Sequence, residues 1–259
     1  MFYAPLDGAA KTMNPIILIP ARMAATRLPG KPLADIAGLP MIVRALRCAE
    51  GSGVGPVAVA AGDPEIVQAI EAAGGRAVLT DPALPSGSDR ILAALRDLDP
   101  SGQHDAVINM QGDMPFGADE AVRACAALLS VGGCDIATVV SEEKDAAAKA
   151  NPDVVKAILA MDADGKAGRA LYFTRSTLYG DGPVWRHIGV YGYTRAALEA
   201  FNAALPSPLE RREKLEQLRG MELGLTLRAA VIAAAPIAVD SPADLEAARA
   251  FAQTVKAHP

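Results

Sequence analysis

Histidine and cysteine are scarce in this chain: three of each among 259 residues. Cys48, Cys125 and Cys134 have no zinc spacing and leave one odd in any disulfide scheme, so they read as reduced residues of a cytoplasmic protein. His104 and His258 stand in polar or terminal context, and no Ser/His/Asp or Cys/His arrangement is visible. Aromatic residues make up 4% and the net charge is -5, which excludes a duplex-binding surface and any nucleic-acid partner of that kind. Long apolar runs are missing too. The longest, 229–235, is short and Ala-rich, so no membrane partner is expected. The first fourteen residues lack the basic start and apolar core of a signal peptide, and 1–13 is expected to be a flexible tail.

What is present suits a sizeable core: 51% hydrophobic and 21% charged residues. Residues 14–259 read as one domain. Its central stretch begins with Ile16 to Ile19, a short buried strand, after which Pro20 and Pro29 are expected to bar both helix and central strand. The loop that follows carries Arg22, Arg27 and Lys31. A buried strand opening into a basic loop at its carboxyl end is where α/β sheets hold phosphate-bearing ligands. This is not a Walker A loop, since its first Gly is missing and Pro32 replaces the Ser/Thr. Helical patterns at 40–50, 65–73, 88–98 and 119–129 alternate with strands at 57–60, 77–79, 106–110 and 136–140. That rhythm predicts an α/β fold, a mostly parallel sheet flanked by helices. Beyond Ser141 it changes. A brief helix at 145–150 precedes strands at 154–160 and 187–193 with an irregular stretch between them, so 141–195 reads as an inserted β-rich part. Helices at 196–204, 209–222 and 242–256 and a strand at 225–232 complete the chain.

The chemistry should sit at strand ends. Gln111-Gly112-Asp113 follows one strand, and Asp240 precedes the last helix at Val239-Asp240-Ser241-Pro242. Carboxylates of this kind, with substrate phosphates and water, suit Mg²⁺. The competing reading makes Asp240 part of an ordinary helix cap. Ser86-Gly87-Ser88-Asp89-Arg90 opens a helix, with Ser88 as its cap, and suits an anion or a base edge as well as it suits plain capping. On a strand, His187, Gly189 and Tyr191 share one face. Glu213, Glu216 and Arg219 read by default as a solvated helix face. A cationic loop with metal-type carboxylates favours phosphoryl or nucleotidyl transfer, where positioning and charge neutralisation carry the catalysis.

Six stretches together resemble the 3-deoxy-manno-octulosonate (Kdo) cytidylyltransferases, the CMP-Kdo synthetases of lipopolysaccharide assembly. They are Ile19-Pro-Ala-Arg-Met-Ala-Ala-Thr-Arg-Leu-Pro-Gly-Lys-Pro32, Asn109-Met-Gln-Gly-Asp113, Asn151-Pro-Asp-Val-Val-Lys156, Ala170-Leu-Tyr-Phe-Thr-Arg175, Arg186-His-Ile-Gly-Val-Tyr-Gly-Tyr193, and Ser207-Pro-Leu-Glu with Leu215-Glu-Gln-Leu-Arg219. The first is shared in outline with sialate cytidylyltransferases; the fifth and sixth point to the Kdo branch. The resemblance implies a Rossmann-like nucleotidyltransferase core, a homodimer formed through the smaller part, and CTP plus Kdo giving CMP-Kdo and pyrophosphate with Mg²⁺. By the same resemblance Pro20, Ala21, Arg22, Arg27, Lys31 and Gln111 hold CTP. Ser86, Gly87 and Arg90 face its base and ribose. Arg22, Lys31 and Asp113 would be catalytic, Asp113 and Asp240 bind the metal, and Gln111, Arg175, His187, Tyr191 and Glu216 line the sugar site. Three departures stand out: Met114 where the family has Glu, Ala61-Gly62 where it has Thr-Asp, and a short 177–185 segment. Rival readings are a cytidylyltransferase for another acid sugar (8-amino-Kdo or a sialic-acid type) and a catalytically silent nucleotide-binding homologue.

Overall fold

Strand β1 (Pro15–Ala21) lies deep in the computed structural model, which describes residues 12–24 and 27–257. The expected 1–13 tail falls almost wholly outside the described residues. After β1, a 3₁₀ turn at Lys31–Leu33 leads into a small hairpin, β2 (Asp35–Ile36) and β3 (Leu39–Pro40). Next come α1 (Met41–Glu50), β4 (Val57–Ala61), α2 (Pro64–Ala72), β5 (Ala77–Leu79), α3 (Gly87–Leu98), β6 (Ala106–Asn109) and α4 (Ala118–Val131). The second half holds β7 (Ile136–Glu143), α5 (Ala146–Ala150), β8 (Lys156–Met161), β9 (Ala167–Thr174), β10 (Val184–Thr194) and α6 (Arg195–Ala203). It ends with α7 (Pro208–Glu213), α8 (Gln217–Glu222), β11 (Leu227–Val231) and α9 (Pro242–Ala257).

Nine strands form one sheet in the order β5-β4-β1-β6-β10-β7-β11-β9-β8. Alternate residues of β1 point to opposite faces. Ile17 and Ile19 join α1, α2 and α4 through Ile42, Ile66 and Val122, while Ile16 and Leu18 join α3, α6 and α8 through Ile91, Leu198 and Leu218. A smaller cluster of Ile36, Met41, Val239 and Leu245 seats α9 on the hairpin. The helix-flanked α/β architecture is as expected, but the sheet is parallel only in part. β5, β4, β1 and β6 run parallel; β10 enters antiparallel between β6 and β7, and β9 and β8 add further antiparallel pairs. Residues 141–195 therefore supply strands to the same sheet, with β10 near its middle.

Three local expectations are corrected. Pro20 does lie inside central strand β1, paired with Ala60. Odd-numbered residues of β1 bond to the β4 side, as Ile17 N to Pro56 O and Gly62 N to Ala21 O show, and even-numbered ones to the β6 side. Pairing with β6 ends at Leu18, so the N–H that Pro20 lacks has no partner to miss. The stretch read as irregular contains β9. Its apolar pattern is interrupted at Gly168, where a Cβ would meet Ala160 O at 2.8 Å, so the glycine records a close strand-to-strand approach. The single helix expected over 209–222 breaks at Lys214, which adopts φ 56°. Glu210 closes a capping box with Ser207 and takes a two-pronged ion pair from Arg219, at 2.7 and 2.5 Å. Folding back to make that pair ends α7 and starts α8. It also buries Arg219, which was expected on a solvated face, over the Phe201 ring at 4.5 Å.

Candidate active site

The carboxyl ends of β1, β4 and β6 open into a cleft of about 330 Å³. Pro20, Ala21, Arg22 and Lys31 line one side, Ser86, Gly87 and Arg90 another, and Gln111, Gly112 and Asp113 the floor. Every residue assigned to the nucleotide from sequence is here except Arg27, which lies on the rim. Ala24, Pro32, Met41 and Leu84 also line the cleft and were not expected, because nothing in their chemistry marks them. Arg22 is exposed.

Lys31 Nζ lies 2.8 Å from Asp113 and 2.9 Å from Asp240, and Arg27 approaches Asp240 at 3.3 Å. The helix-cap reading of Asp240 fails. Ser241 accepts from Asp244 N, and the Asp244 carboxylate accepts from Asp240 N, Ser241 N and Ser241 Oγ, leaving the Asp240 side chain to the cleft. Burial disfavours the charge on Lys31, but the two carboxylates outweigh it and hold its pKa above the ordinary lysine value. Burial and the neighbouring Asp240 raise the Asp113 carboxyl, against the pull of Lys31. Two carboxylate oxygens thus converge within 3 Å of one cationic centre, a donor set that suits a hard divalent cation completed by phosphate and water oxygens.

The start of α3 is built differently from expectation. Its cap is Ser86, whose Oγ accepts from Asp89 N at 3.2 Å, whereas Ser88 is buried and donates to Glu216 at 3.3 Å. Arg90 is buried and donates to Thr80 Oγ1 at 2.6 Å and Asp81 O at 3.1 Å, clamping the loop after β5. Gly62 gives it room: a Cβ there would sit 2.8 Å from Arg90 Nη1. The replacement of Thr-Asp by Ala61-Gly62 thus leaves Arg90 against bare backbone. Asp63 is a functional residue missed from sequence; it accepts from Met23 N at 2.7 Å and pins the basic loop. Met114 packs into the core beside Gly189.

On β10, His187 and Tyr191 do share a face, with ring centroids 5.3 Å apart, and Phe173 of β9 meets the His187 ring edge-on at 4.9 Å. His187 Nε2 lies 3.0 Å from Thr138 Oγ1, whose hydroxyl reaches Val190 O at 2.9 Å. The hydroxyl proton bonded to that carbonyl leaves Nε2–H as donor and Nδ1 open. Burial lowers the His187 pKa to about 3 and raises that of Tyr191, so both rings are neutral at physiological pH. A Cβ at Gly189 would lie 3.7 Å from Gln111 Cγ, which brings this strand to the cleft floor. Glu216 joins through Ser88. Arg175 is linked less directly: Nε donates to Glu213 O at 3.3 Å, and its neighbour Phe173 carries the contact to His187. The site therefore gathers all the expected residues around β1, β6 and β10, with a cationic end and a ring-lined end.

Residues 16–228 match the family model described as Cytidylyltransferase. The chain is 52% identical over 243 residues to a 3-deoxy-manno-octulosonate cytidylyltransferase of Rhodospirillum centenum, covering 93% of this chain and 95% of that protein. It is 51% identical to the protein of the same name from Parvibaculum lavamentivorans, with the same coverage. Among solved structures it resembles CMP:2-keto-3-deoxy-manno-octonic acid synthetase complexed with CTP, with TM-score 0.84, 34% identity and coverage of 93% and 99%. A nucleotidyl transferase of Methanothermobacter, at 15% identity and TM-score 0.60, shares the fold. The chain belongs to the 3-deoxy-manno-octulosonate cytidylyltransferase family.

Proposed function

We propose that this enzyme transfers the cytidylyl group of CTP to Kdo, forming CMP-Kdo and releasing pyrophosphate. The observation that carries the reading is the convergence of Lys31, Asp113 and Asp240 in a basic cleft whose floor continues, through Gln111, to the His187–Tyr191 rings. The relatives named above bear this activity. In the reaction an oxygen of the sugar's anomeric hydroxyl bonds to the α-phosphorus, the bond from that phosphorus to the bridging oxygen breaks, and the hydroxyl proton is lost to solvent.

Arg22 and Lys31 hold the phosphates and offset charge as pyrophosphate leaves, with Arg27 assisting from the rim. Asp113 and Asp240 would hold Mg²⁺, which supplies further charge neutralisation at the phosphates. Among the described residues no group of three His, Cys, Asp or Glu forms a ready-made metal cage, which fits a cation shared with substrate. Ser86 and Gly87 present the start of α3 to the nucleoside, and Arg90 fixes the loop beside it. Arg175 is suited to the sugar carboxylate as a fork donor, while Gln111, His187, Tyr191 and Glu216 bind its hydroxyls. A neutral His187 donates and accepts here and carries no proton in the reaction.

The β-rich half is also read as the face of a homodimer. Leu171 of β9 stays 44% exposed there, and light scattering on a chromatographed sample checks the stoichiometry. A cytoplasmic location accompanies the reading; among the described residues no helix is long and apolar enough to cross a membrane. The function is tested by pyrophosphate release from CTP and Mg²⁺ with Kdo, with 8-amino-Kdo, with sialic acid and with no sugar. Release with Kdo alone, lost in Asp113→Ala, is expected. Release with another acid sugar moves the substrate to that class; CTP binding without release from any sugar means a silent homologue.

A further inference from the structure

Two cations of the β-rich half have no acidic partner. Lys156, the first residue of β8, is fully buried, and its Nζ donates only to main-chain carbonyls: Asn151 O at 2.7 Å and Arg175 O at 3.1 Å. Arg175 likewise spends its donors on carbonyls, Pro152 O at 3.0 Å and Glu213 O at 3.3 Å. A buried ammonium without a carboxylate is strongly disfavoured, and closing a turn over two carbonyls does not by itself require a full charge. Burial, and then the like charge of Arg175, push the Lys156 pKa down from the ordinary value, so the pocket is electropositive and lacks its anion.

The placement is specific. Lys156 pairs with Thr174 of β9 and Arg186 of β10, and the preceding Val155 O accepts from His187 N at 2.9 Å. One buried charge therefore adjoins the main chain of both Arg175 and His187, from opposite neighbouring strands.

We propose that Lys156 is a positioning residue for the acid sugar: it fixes the main chain at Arg175 and supplies a buried positive potential that the substrate's carboxylate neutralises. This rests on the reading of Arg175 as a carboxylate ligand. Lys156 touches no reacting atom and acts through Arg175 and through its field.

The test is steady-state kinetics of the full chain with CTP and Mg²⁺, using Kdo and its uncharged methyl ester, for wild type, Lys156→Gln, Lys156→Arg and Arg175→Gln. Gln keeps hydrogen-bond donors and removes the charge; Arg keeps the charge. Lys156→Gln is expected to raise the KM for Kdo about tenfold, a loss of ~1.4 kcal/mol. The KM values for CTP and for the methyl ester should stay within about twofold. Lys156→Arg should restore most of the affinity for Kdo. Equal shifts for Kdo and its ester, or an unchanged KM for Kdo in Lys156→Gln, would overturn the role of the charge. If Lys156→Arg is too bulky to fold, the Kdo-against-ester ratio in Lys156→Gln still decides. An Arg175→Gln enzyme with unaltered KM for Kdo sinks the carboxylate-ligand reading itself. A raised KM there, beside an inert Lys156→Gln, sinks only the present inference.

Discussion

The two ends of the cleft solve different recognition problems. At the β1 end the working groups are charged and reach into an open space: Arg22 and Arg27 are exposed, and Lys31 bridges two carboxylates. At the β10 end they are rings and buried polar groups fixed by strand pairing, with His187 and Tyr191 held neutral and Lys156 sealed away. A triphosphate carries most of its binding energy as charge, which long flexible cations meet without a rigid frame. A sugar offers hydroxyls in fixed directions, and those reward donors and acceptors locked in place before it arrives. The same sheet serves both because parallel strands end together at the nucleotide, while the antiparallel β10 crosses between them and aligns its face with the floor.

Removing the carboxylate where the two ends meet should have the largest effect. Asp113→Ala is expected to lower kcat about 10²–10³-fold while circular dichroism and Tm stay near wild type. Next comes the buried pair that forces the break before Glu216. Glu210→Gln leaves Arg219 charged without its partner, and urea unfolding should show a loss of about 3–5 kcal/mol. If the break shapes the sugar end, the KM for Kdo rises in that variant more than the KM for CTP.

The neutral ring cluster predicts a pH effect of definite sign. The folded pKa of His187, about 3, lies below its unfolded value near 6.5. Its contribution to stability is therefore complete above about pH 6.5 and is lost as pH falls toward 3. His187→Gln should flatten the Tm–pH curve across that window, and an NMR titration should find the wild-type ring neutral at pH 5. Arg27→Ala should matter least. Its pair with Asp240 is 67% exposed on the arginine side, so the change in kcat/KM should fall within about 1 kcal/mol and shrink in high salt.

The nucleotide end was legible because its signals are local. A strand, a run of cations and an Asp after a Gly all lie within a few residues of one another, and strand β5 matched its expected span. The sugar end was legible only as resemblance. Arg175, His187 and Glu216 lie on three elements, and neither the hidden strand β9 nor the broken helix at Lys214 follows from periodicity. Asp240 shows the difference in a single residue: beside Ser241-Pro242 it looks like a cap, and the capping is done by Ser241 and Asp244 instead.

The order of residues thus determined the alternating elements, the buried strand, the basic loop and the chemical type of the site, since each depends on neighbours within about one turn or one strand. Tertiary structure alone decided which carboxylates meet Lys31, that Pro20 can sit in a central strand, that Arg219 turns inward and that Lys156 is buried beside Arg175. Those outcomes depend on groups separated by tens or hundreds of residues, such as Lys31 and Asp240. Their charges and hydrogen bonds acquire partners only when the sheet brings them together.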